Sequence, residues 1–230
     1  MSAELLIFAP HPDDAELGMG GAIARWVARG KGVAVVDMSD GEPTPHGSPQ
    51  VRRGEVAAAS EALGLAQRQQ LDFVNRLFRH DVESRHKVAA VIRHYRPRVV
   101  FAPFLPDAHP DHVAATQIIR DACFDAKLTR TDIPGEPHHP QKVVYYYCTH
   151  LMVHPQPTFV LDVSDVYEQK AAALQAYQSQ FYINRGADAG RVPEIIRVRD
   201  RYFGSRIGVQ YGEPFFTHEL VGLADIGALL

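Results

Sequence analysis

The chain has 230 residues, of which 46% are hydrophobic, so it is long enough to bury a sizeable core. Its 24 Lys and Arg residues nearly balance 27 Asp and Glu residues, and a net charge of −3 excludes broad electrostatic binding to nucleic acid. The two cysteines are too few for a disulfide framework or a thiolate zinc cluster. The composition is instead rich in histidine, with twelve copies of the residue type that most often binds metal.

The sequence contains no recognisable targeting or membrane segment. Its first apolar run covers only residues 5–8, whereas a signal peptide needs about 7–15 apolar residues and a membrane span needs about 18. We therefore expect a cytoplasmic protein that contacts neither a membrane nor nucleic acid.

Short apolar runs alternate with amphipathic stretches along the first half of the chain. The pattern predicts strands at residues 5–8, 33–36, 70–74 and 99–102 and helices at residues 15–29, 51–63, 81–95 and 112–124. Such alternation with short connections is typical of a parallel sheet with right-handed crossovers. We therefore predict an α/β fold with a Rossmann-like, mostly parallel sheet in the order 3-2-1-4-5 and helices on both faces.

The second half of the chain follows a different pattern. It begins with a polar loop and continues with predicted strands at residues 143–147 and 159–163 and helices at residues 165–181 and 193–203. We interpret this part as a C-terminal extension, so that residues 1–230 form a single domain. Because homo-oligomers are common, the extension is also a candidate for mediating one.

Two loops that combine imidazoles with carboxylates follow the first and fourth predicted strands. Residues 10–14 read Pro-His-Pro-Asp-Asp, and residues 107–112 read Asp-Ala-His-Pro-Asp-His. In a doubly wound sheet, ligands bind at the carboxyl ends of the strands where the strand order reverses. Strands one and four are neighbours at that point in the predicted order. The topology is therefore expected to bring the two loops face to face.

The residue types in these loops suit a catalytic zinc site. Two imidazoles, one carboxylate and an open position for water form a common catalytic arrangement. His11, Asp14 and His112 can supply that set, with one zinc ion per chain. Fe²⁺, Co²⁺ or Mn²⁺ can occupy the same kind of site, so the metal itself stays open at this point.

Three more residues of the two loops are candidates for catalysis. Asp13 would lie beside the metal, where a carboxylate can take a proton from water whose pKa the metal lowers. His109, as an imidazolium, would stabilise the oxyanion of a tetrahedral intermediate. Asp111 would orient His109.

Simpler explanations exist for several of these residues. Asp13 or Asp14 would also cap the helix that begins near residue 15, and Asp111 would cap the later helix. The glycines within residues 18–21 suggest a dinucleotide fingerprint, but they lie inside the predicted helix and Ile23 occupies the sixth position of the motif. Close approach of this helix to the sheet or to a neighbouring element is therefore the preferred interpretation of the glycines.

Taken together, the motifs resemble those of the LmbE/PIG-L-type zinc-dependent N-acetylglucosaminyl deacetylases. The resemblance rests on residues 10–14, 16–21 and 109–112. Within the family, the chain is most similar to the bacillithiol-biosynthesis deacetylase, in residues 52–64, 176–181, 203–204 and 208–215. The resemblance implies hydrolysis of the acetamide of N-acetylglucosaminyl-malate, a small-molecule sugar conjugate. A deacetylase or amidase of another amino sugar, for example of the chitobiose type, is the alternative.

The resemblance also implies roles for individual residues. It implies three zinc ligands, a general base and a residue that faces the oxyanion, namely His11, Asp14, His112, Asp13 and His109. Arg52 matches a family position near the substrate, where a guanidinium can hold a carboxylate or a hydroxyl, and Arg53 is the alternative. Ala108 stands where close relatives often carry a larger polar residue, and this departure bears on the substrate rather than on the metal.

Four further side chains are open candidates for the pocket: His46, His138, His139 and Tyr177. The simpler interpretation of the histidines is exposure in polar loops, and that of the tyrosine is packing on one face of a helix. The two cysteines are most simply buried as small apolar residues.

Overall fold

The computed structural model describes residues 3–222 as one sheet flanked by helices. Its strands are β1 (Leu5–Ala9), β2 (Val33–Ser39), β3 (Gln67–Phe73), β4 (Val99–Pro103), β5 (Lys142–Tyr146), β6 (Phe159–Asp162) and β7 (Gly212–Phe216). Its helices are α1 (Asp14–Ala28), α2 (Pro49–Ala62), α3 (Val82–Tyr95), α4 (Pro110–Asp125), α5 (Tyr167–Ala176), α6 (Gln178–Phe181) and α7 (Arg191–Arg206). The single-domain prediction for residues 1–230 includes residues 1–2 and 223–230, which lie outside the described residues.

The strand order is β3-β2-β1-β4-β5-β7-β6. The first five strands in this order run parallel, whereas β7 is antiparallel to both β5 and β6. The predicted Rossmann-like α/β fold with the order 3-2-1-4-5 is therefore confirmed. The C-terminal extension adds β7 and β6 to one edge of this sheet.

Both faces of the sheet are covered by apolar helix surfaces. β1 and β2 are buried at every position, as expected for parallel strands with helices on both sides. One core contains Ile23 of α1 and Leu174 of α5, and the opposite core contains Ile92 of α3 and Ile118 of α4. The prediction of helices on both faces is confirmed.

The C-terminal part differs in detail from the sequence prediction. The helix predicted at residues 165–181 is a short 3₁₀ turn followed by α5 and α6, which are separated at Tyr177 (φ −81°, ψ 62°). The strand β7 was not predicted, because its sequence Gly-Glu-Pro-Phe-Phe has no alternation and contains a proline. Within residues 3–222, the structure has no helix whose length and apolar character would suit a membrane span.

The pairing of β1 with β4 positions the two histidine-containing loops. Leu5 pairs with Val99 and Ile7 with Phe101, so the carboxyl ends of both strands meet at one edge of the sheet. The chain leaves that edge through the loop after β1 and through the loop that leads into α4. The expectation that the topology brings the two loops together is confirmed.

Candidate active site

One carboxylate oxygen lies between two imidazoles at this edge of the sheet. Asp14 Oδ2 is 3.2 Å from His11 Nδ1 and 3.2 Å from His112 Nε2, and all three residues are buried. Ligand atoms at about 2.0–2.1 Å from a tetrahedral zinc ion lie about 3.3 Å apart. The donor types and their spacing therefore fit a single zinc ion held by these three residues.

The outer nitrogen of each imidazole contacts a second carboxylate. His11 Nε2 is 3.1 Å from Asp111 Oδ2, and His112 Nδ1 is 3.0 Å from Asp107 Oδ2. A carboxylate in this position fixes the tautomer and the ring orientation, and it leaves the inner nitrogen free to bind metal. Asp107 belongs to the second sequence motif, but no role was predicted for it. Only the fold of the loop shows that this residue reaches His112.

The sequence led us to expect that the side chain of Asp111 orients His109, but it does not. Its carboxylate contacts His11 and accepts the backbone N–H groups of Arg76 (2.6 Å) and Phe78 (3.4 Å). Only the backbone N–H of Asp111 reaches His109, where it donates to Nδ1 at 3.2 Å. Asp111 therefore joins α4 to His11 and to the turn that carries Arg76.

The charges around the imidazoles favour a cation. Burial opposes the charged form of His11, but hydrogen bonds to Asp111 and Asp14 outweigh burial and raise its pKa to about 9. Burial also opposes the charge on His112, yet the carboxylates of Asp14 and Asp107 raise its pKa well above the usual value. Burial would raise the pKa of Asp14, but the two imidazolium groups lower it well below its usual range. A bound divalent ion would take over the charge that these protons carry.

Asp13 lies beside this cluster without belonging to it. Its backbone is left-handed (φ 111°), and its Oδ2 accepts a hydrogen bond from Arg52 Nη1 at 3.2 Å. Burial raises the pKa of Asp13 to about 7, against the opposing effect of the Arg52 guanidinium. A carboxyl group with a pKa near neutrality can both accept and release a proton at physiological pH.

His109 is a neutral imidazole at neutral pH rather than the expected imidazolium. Burial and the neighbouring imidazoles of His112 and His11 lower its pKa to about 4. Because its Nδ1 accepts the N–H of Asp111, the ring proton of the neutral form lies on Nε2. His109 lines the cleft above the cluster.

His11, Asp13, Asp14, His109 and His112 line a cleft of about 380 Å³. Arg52 is buried in its wall, whereas Arg53 is exposed on α2 and does not line the cleft. The structure therefore brings together all the predicted site residues except Arg53. The cleft lining also includes side chains to which the sequence assigned no role, namely Arg76, His150 and Arg185. No local motif marks these residues, because three separate loops carry them.

The four side chains that the sequence left as candidates for the pocket do not line the cleft: His46, His138, His139 and Tyr177. His138 Nε2 contacts the carbonyl oxygen of Pro97, and His46 and His139 are not among the lining residues. Tyr177 is fully buried, with its ring 5.8 Å from the Arg52 guanidinium.

Comparison with known proteins identifies the family. Residues 6–123 match the family model described as GlcNAc-PI de-N-acetylase (PIG-L). This chain belongs to the PIG-L family. The match covers both histidine-containing loops, and it confirms the resemblance to deacetylases, which are amide hydrolases.

Individual relatives cover most of the chain. It is 32% identical to the diacetylchitobiose deacetylase of Thermococcus kodakarensis, over 91% of this chain and 81% of that protein. It is 26% identical to a probable N-acetyl-alpha-D-glucosaminyl L-malate deacetylase of Bacillus cereus, over 78% of this chain and 84% of that protein. The crystal structure of a conserved protein from Thermus thermophilus superimposes with a TM-score of 0.89 at 38% identity, over 97% of this chain and 98% of that one.

Proposed function

We propose that this chain is a zinc-dependent deacetylase that hydrolyses the acetamide of an N-acetylglucosaminyl conjugate and releases acetate and the free amine. The observation that carries this proposal is the position of Asp14 Oδ2, 3.2 Å from a ring nitrogen of both His11 and His112. His11, Asp14 and His112 would hold the ion, and the Asp107 and Asp111 carboxylates would keep both imidazoles in the metal-binding tautomer. Zinc bound there would supply a Lewis acid for the acetyl carbonyl and would lower the pKa of water.

Asp13 is the proposed general base. Its carboxylate lines the cleft beside the proposed metal ligands and takes a proton from the attacking water. Arg52, 3.2 Å from Asp13 Oδ2, holds the carboxylate in this position. Because its pKa lies near 7, Asp13 can then return the proton to the departing amine.

His109 is the proposed donor to the oxyanion. Its Nδ1 is occupied by the backbone N–H of Asp111, so Nε2–H is the donor available to a substrate in the cleft. A neutral imidazole N–H can stabilise developing negative charge without giving up its proton. The proton for the leaving group therefore comes from Asp13 in this mechanism.

The charges of the cleft favour an anionic group on the conjugate. Arg76 and Arg185 line the cleft, and neither has an acidic partner within 4.0 Å among the residues that the structure describes. Arg52 is already paired with Asp13. Guanidinium groups without ion pairs suit the carboxylates of malate, so N-acetylglucosaminyl-malate is the proposed substrate and bacillithiol biosynthesis the proposed pathway.

Diacetylchitobiose is the second candidate substrate. It is favoured by the 32% identity to the diacetylchitobiose deacetylase of Thermococcus kodakarensis, which exceeds the 26% identity to the malate-conjugate relative. This substrate is neutral, so it would make no use of the charges on Arg76 and Arg185.

A substrate panel tests the proposal. Zinc-loaded protein is incubated with N-acetylglucosaminyl-malate, diacetylchitobiose and N-acetylglucosamine, and released acetate is measured. We expect the highest kcat/KM with the malate conjugate. A preference for diacetylchitobiose would select the second candidate, and absence of acetate release from all three would overturn the proposed deacetylase function.

A further inference from the structure

Helix α1, which begins at Asp14, is broken after its first turn. Met19 has non-helical backbone angles (φ −152°, ψ 27°) within α1. The break separates residues 14–18 from the longer part of the helix at residues 20–28. A helical segment of five residues has little stability of its own, so contacts from elsewhere must hold it in place.

Arg199 of α7 supplies such contacts at the end of the short segment. Its Nη2 donates to the carbonyl oxygens of Leu17 (2.8 Å) and Gly18 (3.4 Å). These carbonyls belong to the last residues of the short segment, where the break leaves backbone acceptors without helical donors. A cation at the C-terminal end of a helical segment is also electrostatically favourable.

A carboxylate supplies the matching contacts on the other side of the break. Glu213 of β7 accepts the backbone N–H groups of Gly21 (2.9 Å) and Ala22 (2.7 Å). These are among the first donors of the longer part of α1, and a carboxylate at this end satisfies them. The two sides of the break are thus stabilised by residues from two different elements.

Arg199 and Glu213 belong to one buried ionic network. Lys170 Nζ lies 2.6 Å from Glu213 Oε1 and 2.7 Å from Asp200 Oδ2, and Asp200 Oδ1 accepts hydrogen bonds from Arg199. Lys170, Asp200 and Glu213 are 0% exposed and Arg199 is 7% exposed. Two cations and two anions balance each other, as a buried network requires if its desolvation is to be offset.

Arg199 also contacts the segment that leads into another part of the cleft lining. Its Nη1 donates to the carbonyl oxygen of Tyr147 at 2.6 Å. The chain continues from Tyr147 to Thr149 and His150, which line the cleft. One guanidinium therefore connects the segment that begins with Asp14 to the segment that forms this part of the wall.

We propose that Arg199 is a positioning residue, which fixes the short segment of residues 14–18 and thereby sets the position of Asp14 against the two imidazoles. The inference rests on the proposed function, because Asp14 is assigned as a metal ligand only in that proposal. The ionic network of Lys170, Asp200 and Glu213 holds the guanidinium in the orientation that serves both segments.

The test compares Arg199→Gln with Arg93→Gln. Arg93 is a matched control because it is a buried arginine (4% exposed) that donates to backbone carbonyls, including those of Ala126 and Leu128, and it does not line the cleft. For each full-length variant we measure the melting temperature, the zinc Kd of the metal-depleted protein, and kcat and KM for acetate release.

Both substitutions are expected to lower the melting temperature, but only Arg199→Gln is expected to change the metal site. We expect its zinc Kd to rise about tenfold and its kcat to fall about 10- to 100-fold, as when a group that orients a metal ligand is lost. If Arg199→Gln does not fold, Arg199→Lys gives the same comparison, because lysine keeps the charge beside Asp200 but cannot reach all three carbonyls.

A zinc Kd and a kcat within twofold of the wild-type values, in a folded Arg199 variant, would overturn the positioning role. A wild-type protein that binds zinc but releases no acetate would overturn only the proposed function. The positioning role of Arg199 would still be tested by the effect of its substitution on the zinc Kd. A wild-type protein that binds no zinc would overturn both.

Discussion

Asp111 Oδ2 lies 3.1 Å from His11 Nε2, so a residue in the first turn of α4 fixes the imidazole of a residue that follows β1. Asp14, at the start of α1, lies 3.2 Å from His112 Nε2, the inner nitrogen of a histidine in α4. Residues that follow β1 and residues that follow β4 therefore share one cluster. The two motifs form one site only when β1 and β4 are paired.

Asp111→Asn should weaken zinc binding. The neutral amide keeps the shape of the side chain but is a weaker acceptor for the Nε2–H of His11, whose position leaves Nδ1 free for metal, and loss of such a partner typically weakens metal binding about 10- to 100-fold. Competition with a chromogenic chelator measures the Kd. Asp121→Asn is the control, because Asp121 also lies on α4 and contacts a histidine, His80, away from the cleft. Equal zinc Kd values for the two variants would contradict the role given to Asp111.

Arg76→Gly should separate the two candidate substrates. Arg76 has a left-handed backbone (φ 68°), which glycine adopts without strain, so this change removes the guanidinium and leaves the turn intact. We expect KM for N-acetylglucosaminyl-malate to rise about tenfold, as when a charged hydrogen bond is lost, with little change for diacetylchitobiose. Arg53→Gln, outside the cleft, should change neither value. A rise in KM of equal size for both substrates would count against recognition of an anionic group.

Zinc binding should release protons. The pKa of His11 is raised from 6.5 to about 9, so this ring is charged at pH 7 in the metal-free protein, and the neighbouring carboxylates raise the pKa of His112 above its usual value as well. The raised His11 pKa stabilises the metal-free fold fully below pH 6.5, and this stabilisation is lost as the pH rises through about 9. Zinc affinity should therefore increase with pH over this range.

Calorimetry in buffers of different ionisation enthalpy measures this release directly. We expect about one to two protons per zinc ion at pH 7, because both imidazoles must be neutral when they bind metal. Binding that releases no protons and does not depend on pH would contradict the assignment of His11 and His112 as ligands.

Gly18→Ala should destabilise the fold. An added Cβ would overlap the ring of Tyr146, so α1 or β5 would have to move, at a cost of about 1–3 kcal/mol in the free energy of unfolding. Gly54→Ala is the matched control, since it lies in α2 with nothing within 4 Å of the added atom. The control should be more stable than the wild type by about 0.5–1 kcal/mol. Urea unfolding measures both changes, and similar stabilities for the two variants would exclude the close approach as the reason for glycine.

Much of the fold and the grouping of the candidate metal ligands could be predicted from the sequence. The alternation of strands and helices sufficed to predict the strand order, and the loops with His and Asp after β1 and β4 sufficed to predict that His11, Asp14 and His112 lie together. These features are local in the chain or follow from general rules of parallel sheets. Close approach of α1 to the sheet or to a neighbouring element was also predicted, and the overlap of a Cβ at Gly18 with Tyr146 of β5 confirms it.

Other features depend on contacts between residues far apart in the chain, which no local sequence pattern predicts. The partner of the Asp111 carboxylate is set by the packing of two loops, and the sequence suggested His109 where the structure shows His11. The roles of Asp107 and of Arg199 depend likewise on where a loop and a C-terminal helix meet the rest of the fold. The strand β7 is recognised by its pairing with β5 and β6 rather than by its own sequence.

In the proposed mechanism, the Asp13 carboxylate acts with a bound zinc ion to hydrolyse the acetamide of an N-acetylglucosaminyl conjugate. Asp13→Asn separates the two contributions, because asparagine tolerates the left-handed backbone at this position and cannot act as a base. Zinc content and acetate release are measured on the same preparations of wild type and variant. We predict equal zinc content and a kcat lowered about 100- to 10,000-fold in the variant. Turnover at the wild-type rate by the zinc-loaded variant would show that Asp13 is not the general base.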